Sequence, residues 1–341
     1  MRKPPTIVDV AKKSGVSVSV VSRVLNEGTG PVAFDTREKV LRVIEDLGYQ
    51  PRAAARELQN GTSKTIGLVL ADLTNPFFAR LADRVVWNAR SKGYNVILFT
   101  TQEDPHLEAE SIETLISKSV GAVIATPTGD NVAGWKKLLK RGVSVIFVDR
   151  EIADLPEIDV VSISNEESAS VATKHLIELG HSRIAIISGP TTTSTGKARM
   201  SGYLKALAAA KIKPQNELMH SIPFRGDSGS DAVGAILNLD PKPSAIIIAN
   251  TAQVQSAMRR IQQSGIKMPS QLSVVVFDDS PWTDLVSPPL SIIKQPIEML
   301  AVHSVDLAIA RIKGSIPKSR QRIEVSSELI KRSSSTNLKQ K

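Results

Sequence analysis

The first fifty residues place apolar side chains at the three- and four-residue spacing of amphipathic helices. Three such stripes follow one another: Ile7, Val10 and Ala11; Val21, Val24 and Leu25; then Val40, Val43, Ile44 and Leu47. The residues typical of helix starts are Thr6 with Asp9, Ser17, and Asp35 with Glu38, and those typical of helix ends are Gly15 and Gly48. Two short helices joined by a tight turn and followed by a third predict a helix-turn-helix module.

From Thr65 onward, the pattern changes to short, almost wholly apolar runs separated by amphipathic stretches. The apolar runs cover residues 66–71, 95–100, 121–126, 143–148, 183–188, 245–249 and 272–277, and the amphipathic stretches cover 77–92, 106–118, 166–179, 197–210, 252–264 and 297–312. Such alternation indicates parallel sheets covered by helices on both faces. A second strand–helix series begins near 160–166. We therefore predict an α/β chain with an all-α head followed by two doubly wound parallel-sheet subdomains.

These patterns divide the chain into four parts. They are a helix-turn-helix head at 1–51, a hinge helix or linker at 52–61, a core at 62–333 and a disordered basic tail at 334–341. Within the core, the first subdomain is expected at 62–161 plus 292–320, and the second at 162–291 plus 321–333. Open α/β sheets bind ligands beyond the carboxyl ends of their strands, so a cleft between two facing sheets is the expected ligand site.

The net charge of +9 is concentrated at the two ends of the chain. Residues 1–65 carry eleven Lys and Arg against seven Asp and Glu, and the last eleven residues carry four Lys and Arg with no acid. This distribution favours a polyanion partner for the N-terminal part. The sequence contains no Cys, no visible secretory signal and no apolar run of membrane-spanning length, so the cytoplasm is the expected location. Neither a phosphate-binding glycine motif nor metal-ligand spacing is visible, so we expect no cofactor, no metal and no enzymatic activity.

Several segments resemble the lactose-repressor/galactose-repressor family of transcriptional regulators. They are residues 6–26 (TIVDVAKKSGVSVSVVSRVLN), 37–51, 55–58 (AREL), 66–78 (IGLVLADLTNPFF), 180–190, 199–203, 277–279 (FDD) and 288–296 (PPLSIIKQP). The resemblance runs from about residue 5 to residue 333, with the motifs in the family's order. It implies a sequence-specific DNA-binding repressor with a core of the periplasmic-binding-protein type, acting as a homodimer on an inverted-repeat operator in double-stranded DNA.

The second helix of a helix-turn-helix places its N-terminal residues against base edges in the major groove. We therefore expect Val18, Ser19 and Arg23 at the bases, because Arg can bond guanine twice and Val can contact a thymine methyl group. Ser22, Asn26 and the Thr6 hydroxyl are better placed for phosphates. Val20 stands where the family usually has Thr.

The resemblance also implies a hinge helix that folds only on DNA, beside its twin from the other subunit. Leu58 is then expected to wedge between base steps through the minor groove and to kink the duplex, with Ala55 beside it and Gln59 nearby.

Polar and aromatic side chains follow the predicted strands at their carboxyl ends. They are Asn75, Phe77, Phe78, Asp149, Arg150, Arg199, Phe224, Asn250, Asp278 and Gln295. Amides, carboxylates and guanidinium groups supply the donors and acceptors that neighbouring hydroxyls need, and aromatic faces cover the C–H surface of a sugar. Two Asp balance two Arg in this set, so a formally neutral pocket that suits a neutral polyol is expected. The set is similar to the pocket of ribose-binding periplasmic proteins and to the ribose-repressor branch of the family, which implies ribose as the effector.

Other functions remain open on the sequence alone. The same family architecture can sense another pentose, a hexose, a nucleoside or purine, or a sugar phosphate, and only ligand titration separates these from ribose. A sugar-binding protein without a role on DNA would share the core but not the basic head. An enzyme is the third alternative, and a turnover assay with pentoses would detect it.

Overall fold

The computed structural model describes residues 5–25, 32–49, 63–277 and 279–338. The chain separates into two compact units, residues 1–62 and 63–341. The first contains α1 (Ile7–Ser14), α2 (Val18–Leu25) and α3 (Phe34–Leu47). Thr6 and Asp9 form the predicted capping box, and Gly15 ends α1 with a φ of 69°, a left-handed conformation that suits glycine.

The three helices of the head pack around a small apolar core. Its buried members are Val10, Ala11, Val21, Val24, Val40 and Val43, which come from all three predicted stripes. The predicted helix-turn-helix is therefore confirmed. The start of α3 differs from the prediction, because Ala33 occupies the cap position without a side-chain hydrogen bond. Asp35 instead lies in the first turn, where its charge is favourable near the helix N-terminus.

The second unit contains two six-stranded sheets. The first has the strand order β11-β5-β4-β3-β1-β2, with all pairs parallel. Its strands are β1 (Thr65–Leu70), β2 (Asn95–Thr100), β3 (Ala122–Ala125), β4 (Ser144–Val148), β5 (Asp159–Ile163) and β11 (Arg322–Val325). The helices that belong with this sheet are α4 (Pro76–Ser91), α5 (Pro105–Ser117), α6 (Val132–Lys140) and α11 (Ile297–Lys313). Apolar clusters lie on both faces of the sheet, as its nearly continuous apolar strands predict.

The second sheet repeats this plan with the order β12-β10-β9-β8-β6-β7. Its strands are β6 (Ile184–Ser188), β7 (Met219–Ser221), β8 (Ala245–Ala249), β9 (Ser273–Val276), β10 (Ser291–Lys294) and β12 (Glu328–Ile330). Its helices are α7 (Asn165–Glu178), α8 (Ser194–Ala209), α9 (Ser228–Leu237) and α10 (Val254–Gln263). Only β12 runs antiparallel to its neighbour among the described strand pairs. The predicted fold class, two doubly wound subdomains behind a helical head, is confirmed.

The chain passes from one sheet to the other three times, after β5, after β10 and after β11. These crossings lie a few residues from the expected boundaries. Residues 322–325 pair with β5 in the first sheet, although 321–333 were expected in the second subdomain. Residues 292–294 pair with β9 and β12 in the second sheet, although 292–320 were expected in the first.

The expected disordered tail is wrong for residues 334–338, which pack onto the second sheet. The fully buried Ser334 hydroxyl donates to the Val274 carbonyl at 2.6 Å and accepts from the Ser291 N–H at 2.7 Å. The Leu338 N–H donates to the carbonyl of Leu179 at 2.8 Å. Small hydroxyl side chains here satisfy backbone groups of neighbouring strands, a role that polar composition alone does not reveal. Residues 339–341 lie outside the described residues.

Two absences concern only the parts of the chain that the structure describes. In those ranges, no helix combines the length and apolar character that crossing a bilayer requires. No cluster of three or more His, Asp or Glu side chains within them is arranged to hold a metal ion.

Gly202 allows α8 to approach α7 closely. A Cβ atom at this position would lie 2.0 Å from the Glu166 carbonyl oxygen, so the backbone would have to move. We expect Gly202→Ala to lower the free energy of unfolding by about 1–3 kcal/mol, measured by urea denaturation. The matched control is Gly134→Ala, whose Cβ would have as its nearest neighbour Cδ1 at the end of the Ile112 side chain, at 3.1 Å. Equal stability of the two variants would refute the close approach.

Candidate functional site

Arg150 lies at the centre of a cleft between the two sheets. It follows β4 of the first sheet, and its guanidinium carbon lies 4.1 Å from the ring centroid of Phe224, which follows β7 of the second. The ring of Phe78 lies 5.9 Å from the same carbon and packs edge-on against Phe77, with 5.0 Å between the ring centroids. Cationic and aromatic faces from both sheets therefore meet here, as the strand-end rule predicts.

The main ion-pair partner of Arg150 is Glu103, which follows β2. Nη1 and Nη2 of Arg150 donate to the two carboxylate oxygens of Glu103 at 2.7 and 2.8 Å. Asp149 is more distant, with 3.8 Å between its Oδ2 and Nε of Arg150. Burial lowers the pKa of Arg150, but the bonds to Glu103 and the charges of Glu103 and Asp149 outweigh it, so the pKa is raised. Burial raises the pKa of Asp149, against the opposing charges of Arg150 and Arg199.

Backbone strain accompanies these carboxylates. Gln102, Glu103 and Asp149 have φ angles of 53°, 61° and 69°, in the left-handed region that non-glycine residues seldom adopt. Such conformations persist where the surrounding structure imposes them, and they are frequent at ligand sites.

Arg199 donates three hydrogen bonds on the side of the second sheet. Its Nε donates to Asn165 Oδ1 and its Nη1 to the Ala249 carbonyl, both at 2.8 Å, and its Nη2 reaches Gln295 Oε1 at 3.4 Å. The Phe277 ring lies 4.5 Å from its guanidinium carbon. Burial lowers the pKa of Arg199 to about 10, so the group stays charged at neutral pH.

Asn250 is completely buried at the end of β8. Its Nδ2 donates to the carbonyls of Ile222 and Pro223 at 3.3 and 3.2 Å, which anchors the segment that carries Phe224. Its Oδ1 and the Nε of Arg150 have no hydrogen-bond partner among the described residues. One buried acceptor and one buried donor near the cleft are thus without a partner among the described residues.

Two further predicted ligand residues, Asn75 and Gln295, are buried and hydrogen-bonded to neighbouring groups. Asn75 caps α4, because its Oδ1 accepts from the Phe77 N–H at 3.1 Å. Gln295 reaches Thr251 Oγ1 at 3.4 Å in addition to Arg199. Asp278 lies outside the described residues.

Two cavities border these side chains. One of about 380 Å³ is bounded in part by Asp149, Arg150 and Asn165, and it falls within the size range of small-molecule sites. A smaller one of about 170 Å³ is bounded in part by Asn75 and Phe224.

Four residues of this site were absent from the sequence-based set: Glu103, Asn165, Gln253 and Phe277. Gln253 holds the Phe224 segment by donating to the carbonyls of Pro223 and Phe224 at 3.3 and 3.1 Å. Glu103 follows an identified strand, so the strand-end rule applied to β2 would have found it. Among the described members of the set, the carboxylates of Asp149 and Glu103 equal in number the guanidinium groups of Arg150 and Arg199, with Glu103 in the place that Asp278 held in the sequence-based balance.

The second helix of the head exposes part of the predicted DNA-contacting set. Ser19, Arg23 and Val18 are exposed, and Val18 retains 41% of its accessible surface although it is apolar. Val20 and Ser22 are half-buried. The Thr6 hydroxyl is exposed but donates to Asp9 Oδ2 at 2.7 Å within the capping box. Asn26, Ala55, Leu58 and Gln59, together with the hinge at 52–61, lie outside the described residues.

Comparison with known proteins gives matches over nearly the whole chain. The family described as bacterial regulatory proteins, lacI family, matches residues 6–52, and a periplasmic binding protein-like domain matches residues 173–335. The HTH-type transcriptional repressor PurR of Vibrio atlanticus is 32% identical, over 96% of this chain and 98% of that protein.

Two solved structures are similar to the chain. The lac repressor dimer bound to operator and an anti-inducer has a TM-score of 0.81 at 28% identity, covering 98% of this chain and 100% of that chain. A putative ribose operon repressor from Burkholderia thailandensis has a TM-score of 0.72 at 26% identity, covering 79% of this chain and 99% of that chain.

Proposed function

Since the chain belongs to the lacI family and is a DNA-binding repressor with an effector-binding domain, we propose that a neutral sugar is its effector. Among neutral sugars, we propose ribose. Its relatives are transcriptional regulators and not enzymes. The proposal places the sugar in the cleft around Arg150, where side chains of both sheets meet. A ligand that touches both sheets can shift the balance between two closure states, and it changes DNA affinity only by its differential affinity for them.

The observation that carries this proposal is the pair of buried, unpartnered polar atoms in the cleft. Sugar hydroxyls both donate and accept, so they can supply a donor for Asn250 Oδ1 and an acceptor for Arg150 Nε. The half-buried ring of Phe224, which borders the smaller cavity, supplies apolar surface for the C–H groups of a sugar. The likeness to a putative ribose operon repressor supports a pentose.

Calorimetric titration of the full chain with candidate ligands tests the identity of the effector. We expect heat of binding with ribose, and none with ribose 5-phosphate or with a free purine base. Binding of a purine base in place of ribose would support the nucleobase-sensing alternative and refute the sugar.

We also propose that the repressor acts as a homodimer on an inverted repeat. One head reads only a few base pairs, and two-fold symmetric proteins match two-fold symmetric sites. Apolar side chains are exposed on neighbouring elements of the core, with Trp87 on α4 at 63% and Leu98 on β2 at 40% exposure. Analytical ultracentrifugation with a fluorescent operator should show two chains per site, and one chain per site would refute the dimer.

Arg23 is proposed to read a base. Arg23→Ala should weaken binding to the cognate operator by about 1–3 kcal/mol. On an operator in which the base pair read by Arg23 is substituted, wild type and Arg23→Ala should bind with nearly equal affinity. Fluorescence anisotropy on cognate and substituted operators measures both. The matched control is Arg42→Ala, which removes an exposed charge from α3 of the same head. A uniform loss on all DNA sequences would make Arg23 a phosphate contact instead.

A further inference from the structure

We infer that Glu103 sets the charge class of the effector, because its carboxylate occupies both terminal nitrogens of Arg150 and so excludes anionic ligands from the cleft. The inference rests on the proposed function, since it concerns the same cleft, and it adds the residue that decides between a free sugar and a phosphorylated one.

Glu103 and Arg150 form a bidentate salt bridge. The two parallel bonds of 2.7 and 2.8 Å use the end-on pair of N–H groups, one of the pairs through which a guanidinium group binds phosphate bidentately. Arg150 is only 3% exposed and stacks on Phe224, so its guanidinium group cannot turn toward another anion. The side of the guanidinium group that carries Nε faces a second carboxylate, because Asp149 Oδ2 lies 3.8 Å from Nε, and Nε itself donates no hydrogen bond among the described residues.

Glu103 is fixed in this position by its backbone. Its N–H donates to the carbonyl of Ala71 at 3.2 Å, and both it and Gln102 adopt left-handed φ angles. The neighbouring Gln102 is held as well, because Arg225 donates to its backbone and side-chain oxygens at 3.1 Å. The carboxylate is therefore preorganised and does not depend on a ligand for its placement.

The other cations around the cleft are also engaged. The donors of Arg199 are directed to Asn165, Ala249 and Gln295. Arg225 additionally lies 3.8 Å from Asp72. Arg80 donates to the backbone of Asp279 and lies 3.6 Å from its carboxylate. Removing the charge of Glu103 would thus leave the paired terminal nitrogens of the buried Arg150 without a carboxylate partner.

The test compares wild type with Glu103→Gln, which keeps the size of the side chain and removes its charge. Glu103→Asp keeps the charge, and Glu110→Gln makes the same chemical change at an exposed position of α5. Each full-length protein is titrated calorimetrically with ribose, ribose 5-phosphate and inorganic phosphate. We expect Glu103→Gln to gain at least about tenfold in affinity for ribose 5-phosphate relative to ribose, the gain that about 1.4 kcal/mol gives, and to bind inorganic phosphate measurably. Glu103→Asp and Glu110→Gln should reject both phosphates as wild type does.

The outcomes separate this inference from the proposed effector. If Glu103→Gln is folded and binds inorganic phosphate no better than wild type, the inference is wrong whether or not ribose binds. If wild type ignores ribose while Glu103→Gln gains phosphate binding, the effector is wrong and the role of Glu103 stands. Should Glu103→Gln lose its fold by circular dichroism, Glu103→Asn provides the same loss of charge with a shorter side chain.

Discussion

Replacement of Arg150 by alanine should lower the free energy of unfolding of the core by about 3–5 kcal/mol. Glu103 and Asp149 would remain largely buried, with Glu103 deprived of its hydrogen-bonded cation and Asp149 of the nearest opposing charge. An uncompensated buried charge costs more than the ion pair contributes when it is intact. Urea denaturation of the full chain, followed by circular dichroism, measures the change.

The pH dependence gives this prediction a second readout. Burial already raises the pKa of Asp149 above its ordinary value, and loss of Arg150 removes an opposing charge that lowers it. The folded state of Arg150→Ala therefore binds protons more readily than the unfolded state. Its stability deficit should shrink as the pH falls from 7 toward about 4, the ordinary range of a carboxyl group. A deficit that is independent of pH would show that charge burial is not its cause.

A double variant provides the control for Arg150→Ala. Arg150→Ala with Glu103→Gln removes one of the two stranded charges, so it should recover part of the lost stability. Greater stability of the double variant than of the single one shows coupling between the two residues. If adding Glu103→Gln lowers the free energy of unfolding further, Arg150 does not stabilise the core through its ion pair with Glu103.

The strands of the fold were predictable because most of them are buried on both faces. The predicted strand at 66–71 (IGLVLA) differs from β1 by one residue at each end, and the apolar residues that the two share have no exposed surface. β11 was assigned to the wrong subdomain because RIEV alternates polar and apolar side chains at a sheet edge, with only Val325 buried. Which sheet such a strand joins depends on pairing with β5, a contact between residues far apart in sequence.

The sequence predicted some members of the candidate site but not their pairings, and it missed Glu103 altogether. The rule that ligands lie beyond strand ends brought Arg150, Arg199 and Asn250 into one cleft. The expected balance between Asp149 and Arg150 was replaced by a stronger bond from Glu103, since 2.7 Å contacts outweigh a separation of 3.8 Å. Whether neighbours in sequence are partners in space depends on backbone angles, and both Glu103 and Asp149 take left-handed ones.

Substitution of Asn250 by alanine should weaken ribose binding by about 1–3 kcal/mol, which is roughly 5- to 150-fold in Kd. The change removes the buried acceptor proposed for a sugar hydroxyl and releases the carbonyls that position Phe224. Calorimetry with ribose measures the loss. The control is Asn238→Ala, an exposed amide after α9, which should bind ribose as wild type does. Unchanged affinity in a folded Asn250→Ala protein would remove Asn250 from the site.

We propose that a neutral sugar in the cleft controls the affinity of the repressor for DNA. The most direct measurement is operator affinity with and without ribose, for wild type and for Asn250→Ala, at one ribose concentration that saturates wild type without saturating the variant. Ribose should lower the affinity of wild type by about 1–3 kcal/mol, a typical allosteric coupling, and should leave Asn250→Ala close to its affinity without sugar. Both proteins should bind the operator equally without ribose. A wild-type repressor that ignores ribose but responds to a sugar phosphate or a purine base would contradict the claim.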